Sequence, residues 1–267
     1  MGIVRLALSS SVPVLWMATD EKTRKHMGNS GEPFAITIMG TKYYVLTTPT
    51  QASSVYGDPL TFSWDNFLND ALMGFGVHRD RLNVLWQRTA TPTAVNPAQR
   101  CLIHLTQELY KQFLLPGPAF AGLINTYQGA LRQMTSWDRI SGSYGLATPT
   151  ETWRVSLYDL CANIMIDATQ LSLFDPILFT IEPSMTQGMR AFTDELWKLM
   201  NPSPFIDSRR ILSIRTRYRD AFLQYQRLPK EKRSKEAALV TKLIDQYHEL
   251  DINAEDSAAM LIMVYWA

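Results

Sequence analysis

Cysteine is scarce in this chain. Its 267 residues include only Cys101 and Cys161, with no Cys-x-x-Cys spacing. That excludes a disulfide framework and a cysteine zinc site, and it fits a reducing compartment. Net charge is also slight, at +1, so composition supplies no bulk attraction to nucleic acid or to an anionic membrane. No apolar run reaches the roughly 18 residues needed to span a bilayer. Met1–Ala18 has the start of a targeting pattern, Arg5 followed by apolar residues, but Ser9-Ser10-Ser11 and Pro13 break its apolar centre. Asn201-Pro202-Ser203 is ruled out as a glycosylation acceptor by its proline.

Catalytic signatures are missing too. There is no Gly-Lys-Ser/Thr phosphate loop and no Gly-x-Ser-x-Gly elbow, and four scattered histidines make no triad. Gly74-Phe75-Gly76 opens like a dinucleotide loop, but no third glycine follows and neither flank reads as strand then helix. His104 and Glu108 stand four apart on a helical stretch, yet no second pair with ligand spacing accompanies them. An ordinary polar edge on a core helix accounts for that pair.

What the chain does have is apolar material: 46% hydrophobic residues and seven tryptophans, enough for a sizeable core. The most apolar stretch is Asn253–Ala267. Asn253 is a suitable N-cap, and Glu255 and Asp256 place negative charge in the first helical turn. From Ala258 onward every residue is apolar, the pattern of a helix through the middle of a domain. No capping glycine, basic last turn or proline follows, so the sequence reads as the front part of something larger, cut through its central helix. Ending there, it is expected to expose apolar surface and to fold poorly alone.

The rest of the pattern is a small β piece followed by helices. Ala35–Met39 and Lys42–Thr47 read as a hairpin about Gly40-Thr41, and Thr50–Tyr56 as a short helix capped by Thr48 or Thr50. Leu60–Leu85, rich in aromatics and glycine, reads as a structured loop with short helical turns. It either lines a pocket or seals onto the core. Asn96-Pro97 is taken as a helix start for Asn96–Leu115. Further helices are expected over Pro118–Met134, Thr150–Leu173, Ser184–Met200, Asp207–Leu228 and Glu231–Leu250, with a connector over Trp137–Pro149 that has room for a short strand. Thr150–Leu173 is apolar enough to be of interior type.

Arg209–Lys235 carries ten Lys or Arg and two acidic residues. Apolar residues interleave with the charges, as on the solvated face of a core-packed helix. A membrane or protein partner is the functional alternative, and nucleic acid the weakest.

The order of these signals resembles the front half of a cytochrome P450. The resemblance rests on the hairpin PFAITIMGTKYYVLTTPTQASSVYGDP, the aromatic loop LTFSWDNFLNDALMGFGV and the helices ending in Tyr-Trp-Ala. It covers about Pro33 to Ala267 and is most like the branch of sterol 7α-hydroxylases and prostacyclin synthase, in its fungal relatives. Residues 1–32 form a lead, a remnant of an anchor or an exon artefact, and 33–267 the N-terminal part of the domain. The resemblance implies a mainly α fold with a small N-terminal β-hairpin, an incomplete P450 fold ending inside the I helix. Gln51–Tyr56 becomes the B helix, Leu60–Val77 the pocket-shaping loop, Asn96–Leu115 the C helix, Ser184–Met200 and Asp207–Leu228 the roof, and Asn253–Ala267 the I helix.

The implied function is a haem-thiolate monooxygenase that inserts oxygen from O₂ into a lipophilic substrate. Electrons come from an NADPH-cytochrome P450 reductase-type donor at the cytosolic face of the endoplasmic reticulum, and nucleic acid is not involved. Phe67, Leu72, Phe75 and Val77, with Met263, Trp266 and Ala267, are the expected pocket lining. No Trp-x-x-x-Arg occurs to hold a propionate, and Arg100, near the right place, is not assigned that role. By the resemblance, the family's Glu-x-x-Arg pair and the Phe-x-x-Gly-x-x-x-Cys-x-Gly loop that supplies the iron thiolate would lie beyond Ala267, and neither Cys101 nor Cys161 sits in such a loop. The isolated chain is therefore expected to be inactive, with no catalytic residue and no metal ligand of its own.

Overall fold

The computed structural model describes residues 31–38, 41–58, 61–93, 96–136, 140, 146–147, 153–154, 156–200 and 206–266. The N-terminal targeting stretch, the Gly40 turn, most of the Trp137–Pro149 connector, the proline-rich stop at 201–204 and Ala267 lie outside these residues. The architecture is mainly α with two small antiparallel sheets.

Strands β1 (Phe34–Ile38) and β2 (Thr41–Val45) pair as the expected hairpin, with Ile36 opposite Tyr43. Helix α1 (Pro49–Tyr56) starts on a reciprocal cap, in which the Gln51 N–H donates to Thr48 Oγ1 and Gln51 Oε1 accepts from the Thr48 N–H. Thr48, not Thr50, is thus the cap.

The stretch expected as loop contains a full helix, α2 (Asp65–Phe75), then a 3₁₀ turn (Arg79–Arg81) and short α3 (Leu82–Trp86). Leu68, Ala71, Leu72 and Phe75 recur at helical spacing and turn toward the core. Gly76 ends α2 at φ +115°, which a side chain would strain, and the N–H groups of Gly76 and Val77 both donate to Leu72 O.

Asn96 does not start a helix. It is fully buried in a turn, where its Oδ1 accepts from the Arg100 N–H at 2.8 Å and its Nδ2 donates to Thr89 Oγ1 and Arg100 O. Satisfying its amide this way bends the chain through Gln99 at φ +51°, so helix α4 (Leu102–Leu114) begins only after Cys101. α5 (Pro118–Met134) follows as expected.

Strands β3 (Leu146–Ala147) and β4 (Trp153–Arg154) pair across the connector, which delays α6 to Leu157–Leu173. Ser156 Oγ caps it by accepting the Asp159 N–H. α6 is not of interior type along its length: Leu157 and Tyr158 are 73% and 72% exposed, and Cys161 is exposed, while Ile164, Ala168 and Leu173 are buried.

Short α7 (Ile177–Ile181) leads to the amphipathic α8 (Met185–Met200) and the long α9 (Arg209–Arg227). A 3₁₀ turn (Lys230–Arg233) replaces the first part of the next expected helix, so α10 runs only from Ala238 to Glu249. The reason is Arg233, which turns inward to donate to Leu228 O and Glu236, while the Lys235 and Ala237 N–H groups donate to Asp175 Oδ2 and Leu173 O. Those backbone donors are committed to another element and cannot propagate a helix.

The last helix, α11 (Ala254–Trp266), is the centre of the packing. Ala258, Ala259, Leu261 and Ile262 are completely buried, and α2 and α9 lie against it. α8 packs on α2, α6 and α9, α7 packs on α9, α5 on α6, and α4 on α5 and α10.

One close approach has a sharp consequence. A Cβ on Gly188 of α8 would stand 2.5 Å from the Tyr218 hydroxyl oxygen, whose O–H donates to Met185 O at 2.6 Å. Gly188→Ala is expected to destabilise by about 2–4 kcal/mol through overpacking and loss of that buried bond. Gly129→Ala on α5, where a Cβ meets only open space, should stabilise by about 0.5–1 kcal/mol. Denaturant midpoints of both variants check the pair.

Candidate functional site

Four elements far apart in sequence meet at one place. Phe75 at the end of α2 lies 5.8 Å from Phe192 of α8 and 5.7 Å from Trp266 of α11, ring centroid to centroid. Phe192 in turn lies 5.9 Å from Tyr218 of α9, which lies 5.6 Å from Tyr265 of α11. The rings are tilted or edge-on, as their quadrupoles favour. A second group, Phe174, Phe222 and Tyr225, continues the cluster from Tyr265 toward the end of α6.

The start of α11 is tied to the same junction. Asn253 Oδ1 accepts the Asp256 N–H at 2.7 Å, as its N-cap position predicts. Asp256, 1% exposed, accepts from the His78 N–H at 3.0 Å and from Asn253 Nδ2 at 2.6 Å, with Arg81 Nε at 3.7 Å. One buried carboxylate thus fixes the turn after α2 onto the central helix. Its burial is offset by these donors and by the N-terminal dipole of α11.

Of the expected pocket residues, Leu72, Phe75 and Val77 are buried in the core cluster, and Met263 and Trp266 are half-buried against it. Phe75 and Trp266 touch. Phe67 stands apart: at 36% exposure it packs edge-on to Trp64, which stacks on Tyr56, in a small surface cluster between α1 and α2. Ala267 lies outside the described residues. Sequence reasoning did not place Phe192, Tyr218, Tyr265 or Asp256 in the site. The first three were legible only as members of apolar helix faces, and Asp256 only as a first-turn charge.

Neither cysteine is placed as an iron ligand. Cys101 is 3% exposed, packed in the core at the N-cap of α4, and Cys161 stands on the exposed side of α6. Neither occupies an open loop where an ionised thiolate could meet a metal. Arg100 pairs with Glu108 at 3.5 Å. Glu108, held below its usual range by Lys111 and Arg100, is an exposed surface group, and His104 meets the Trp86 ring edge-on. Among the described residues no group of three His, Cys, Asp or Glu could hold a metal ion.

Five of the ten basic side chains of Arg209–Lys235 pair with local carboxylates. Arg209 binds Asp207, Arg210 binds Glu195, Arg219 binds Asp220, Lys230 binds Asp245, and the buried Arg233 binds Glu236. Arg209 holds the Asp207 carboxyl well below the usual carboxylate range. Arg217 donates to Ser184 Oγ. Among the described residues no helix is long and apolar enough to cross a membrane.

No protein-family model matches the chain, and no curated protein matches it.

Burial raises the hydroxyl pKa of Tyr110 to about 12, and burial likewise pushes those of Tyr218, Tyr225, Tyr247 and Tyr265 above the ordinary value. The unfolded chain begins to release these protons near pH 10 while the folded one still holds them. Their contribution is therefore complete below that pH and is lost as pH rises through the folded values. Urea midpoints should fall steeply from about pH 10 upward, with the delayed part of the tyrosinate absorbance appearing together with the loss of helical circular dichroism. A midpoint unchanged to about pH 12 would refute this. Asp256→Ala removes the buried acceptor that joins the His78 N–H and Asn253 Nδ2 to the start of α11 and should cost about 1–3 kcal/mol, read from the same urea curves.

Proposed function

We propose that this chain is the pocket-forming part of a haem-thiolate monooxygenase that inserts oxygen from O₂ into a lipophilic substrate. The supporting observation is the junction itself. The segments that the family resemblance assigns to the pocket loop, the two roof helices and the central helix are α2, α8, α9 and α11, and these four meet through Phe75, Phe192, Tyr218 and Trp266. Their sequence separation makes that meeting a property of the fold, not of neighbouring turns.

In this reading the chain's own share is the wall and roof of an apolar compartment. Burial of Leu72, Phe75 and Val77 excludes water from it, and the Asp256 tie holds the α2 turn over the central helix. Exclusion of water and control of shape are what a protein contributes when a cofactor carries the oxidation chemistry. Neither cysteine here serves as the iron ligand, so no step through iron is derived for these residues. The complete enzyme takes electrons from a reductase of the NADPH-dependent type, at the cytosolic face of the endoplasmic reticulum.

The competing reading, a non-enzymatic helical protein that binds a partner or membrane through Arg209–Lys235, draws less support. Five of its ten basic side chains pair with a neighbouring carboxylate, and one of these, Arg233, faces inward.

Sequencing the transcript across codon 267 tests the proposal. In-frame Glu-x-x-Arg followed by Phe-x-x-Gly-x-x-x-Cys-x-Gly is expected, and the protein encoded through that loop should give the thiolate-type Soret shift when reduced under CO. A stop codon directly after Ala267, or an extended protein that takes up no haem, would overturn it.

A further inference from the structure

The three most exposed large apolar side chains among the described residues stand on one helix. Leu157, Tyr158 and Met165 of α6 are 73%, 72% and 56% exposed, and Cys161 between them is exposed too. Leu157 and Met165 each lie four residues from Cys161, so these three share one line along the helix, and Tyr158 flanks it three residues before Cys161. The only charged residue between Leu157 and Met165 is Asp159, which falls on another side of the helix. Apolar surface gathered in this way marks a place of contact.

The patch is bounded. Ala168 and Ser172 continue the same line toward the helix end, and both are buried, at 0% and 6%. The uncovered length is therefore about two turns, centred on Cys161. At its edge the Tyr158 ring is held by Arg190 of α8, whose Cζ lies 5.4 Å from the ring centroid and whose guanidinium binds Asp159 at 2.7 Å. An apolar centre with a fixed aromatic ring and an arginine–carboxylate rim has the anatomy of a protein interface, and a ring already held in place loses little entropy on contact.

We propose that this face of α6 docks on the same face of a second copy of the chain, forming a two-fold dimer. The spacing selects that occupant. With Leu157 and Met165 equally far from Cys161, two antiparallel α6 helices that meet at Cys161 set Leu157 of each copy on Met165 of the other, with both Cys161 side chains at the axis. Antiparallel alignment also pairs the helix dipoles favourably, and no like charges meet, because the line carries none. Covering the four side chains on both copies removes on the order of 1,000 Å² from water, the lower bound for a specific interface, so the association is of roughly micromolar strength. The dimer is independent of the monooxygenase reading, which rests on the junction of α2, α8, α9 and α11.

Sedimentation equilibrium of the 267-residue chain tests the dimer. Wild type should show a monomer–dimer equilibrium that stops at two, because a two-fold interface closes on itself. Leu157→Asp and Met165→Asp, both at exposed positions, should keep the wild-type helical circular dichroism and each weaken dimerisation about tenfold or more, since every substitution enters the interface twice. A short bis-maleimide should join two copies through Cys161, because Cys101 is only 3% exposed, and Cys161→Ser should abolish the covalent dimer. If an aspartate variant loses its helical signal, the wild-type cross-link decides, and its absence overturns the proposal. A wild-type monomer up to about 500 µM overturns it too, and flotation of that monomer with phosphatidylcholine vesicles would give the face to a lipid surface instead. Open-ended aggregation, or a dimer that neither aspartate variant weakens, likewise overturns it.

Discussion

A helix that is apolar on every side is stable in water only when it is covered on every side, and α11 sets that demand for the whole molecule. Ala258, Ala259, Leu261 and Ile262 have no exposed surface, and the two large aliphatic side chains contribute about 1.5–3 kcal/mol each on burial. Covering them takes α2 and α9 directly, with α8 laid across both. The small residues Ala258 and Ala259 let neighbours approach closely, and Gly76 brings the α2 turn within van der Waals distance of Ala259. Position along the axis is set by polar groups: Asn253 caps the helix, and Asp256 draws in the His78 N–H.

The rings packed around α11 include hydroxyl-bearing Tyr218 and Tyr225, so the interior has to satisfy polar atoms as well as fill space. Tyr218 donates to Met185 O across 33 residues, and the Asp175 N–H donates to the Tyr225 hydroxyl across 50. Each bond fixes one helix against the entry to another. Gly188 exists at its position because the Tyr218 hydroxyl occupies the space a side chain would need. Asp175 has a similar linking role, accepting from the Ile177 N–H on one side and the Lys235 N–H on the other. These long-range bonds give the helical layers one arrangement where apolar packing alone would tolerate several.

Charge on α9 shows how composition and structure part company. In the sequence Arg209–Lys235 is a dense basic run, whereas in the fold its members are distributed around the helix and a following 3₁₀ turn, and five of the ten pair with a carboxylate. Exposed pairs of this kind contribute little to stability, but they weaken the field that a partner surface would need.

The sequence by itself determined the helical class, the hairpin and the start and interior character of α11, while it left Thr48 and Thr50 open as the cap of α1. Each of these depends on local spacing, and a capping side chain or an unbroken apolar run reads the same in any context. It misjudged α2, whose period was hidden by clustered aromatics and two glycines, and Asn96, whose side chain prefers the Arg100 backbone to a helix start. The late start of α10 was also invisible, because the groups that prevent an earlier turn, Asp175 and Leu173, lie some 60 residues away. Only the tertiary structure decided which of the candidate pocket residues meet. Phe75 and Trp266 come together with Phe192 and Tyr218 while Phe67 is left outside, since ring contacts between distant helices depend on how those helices cross.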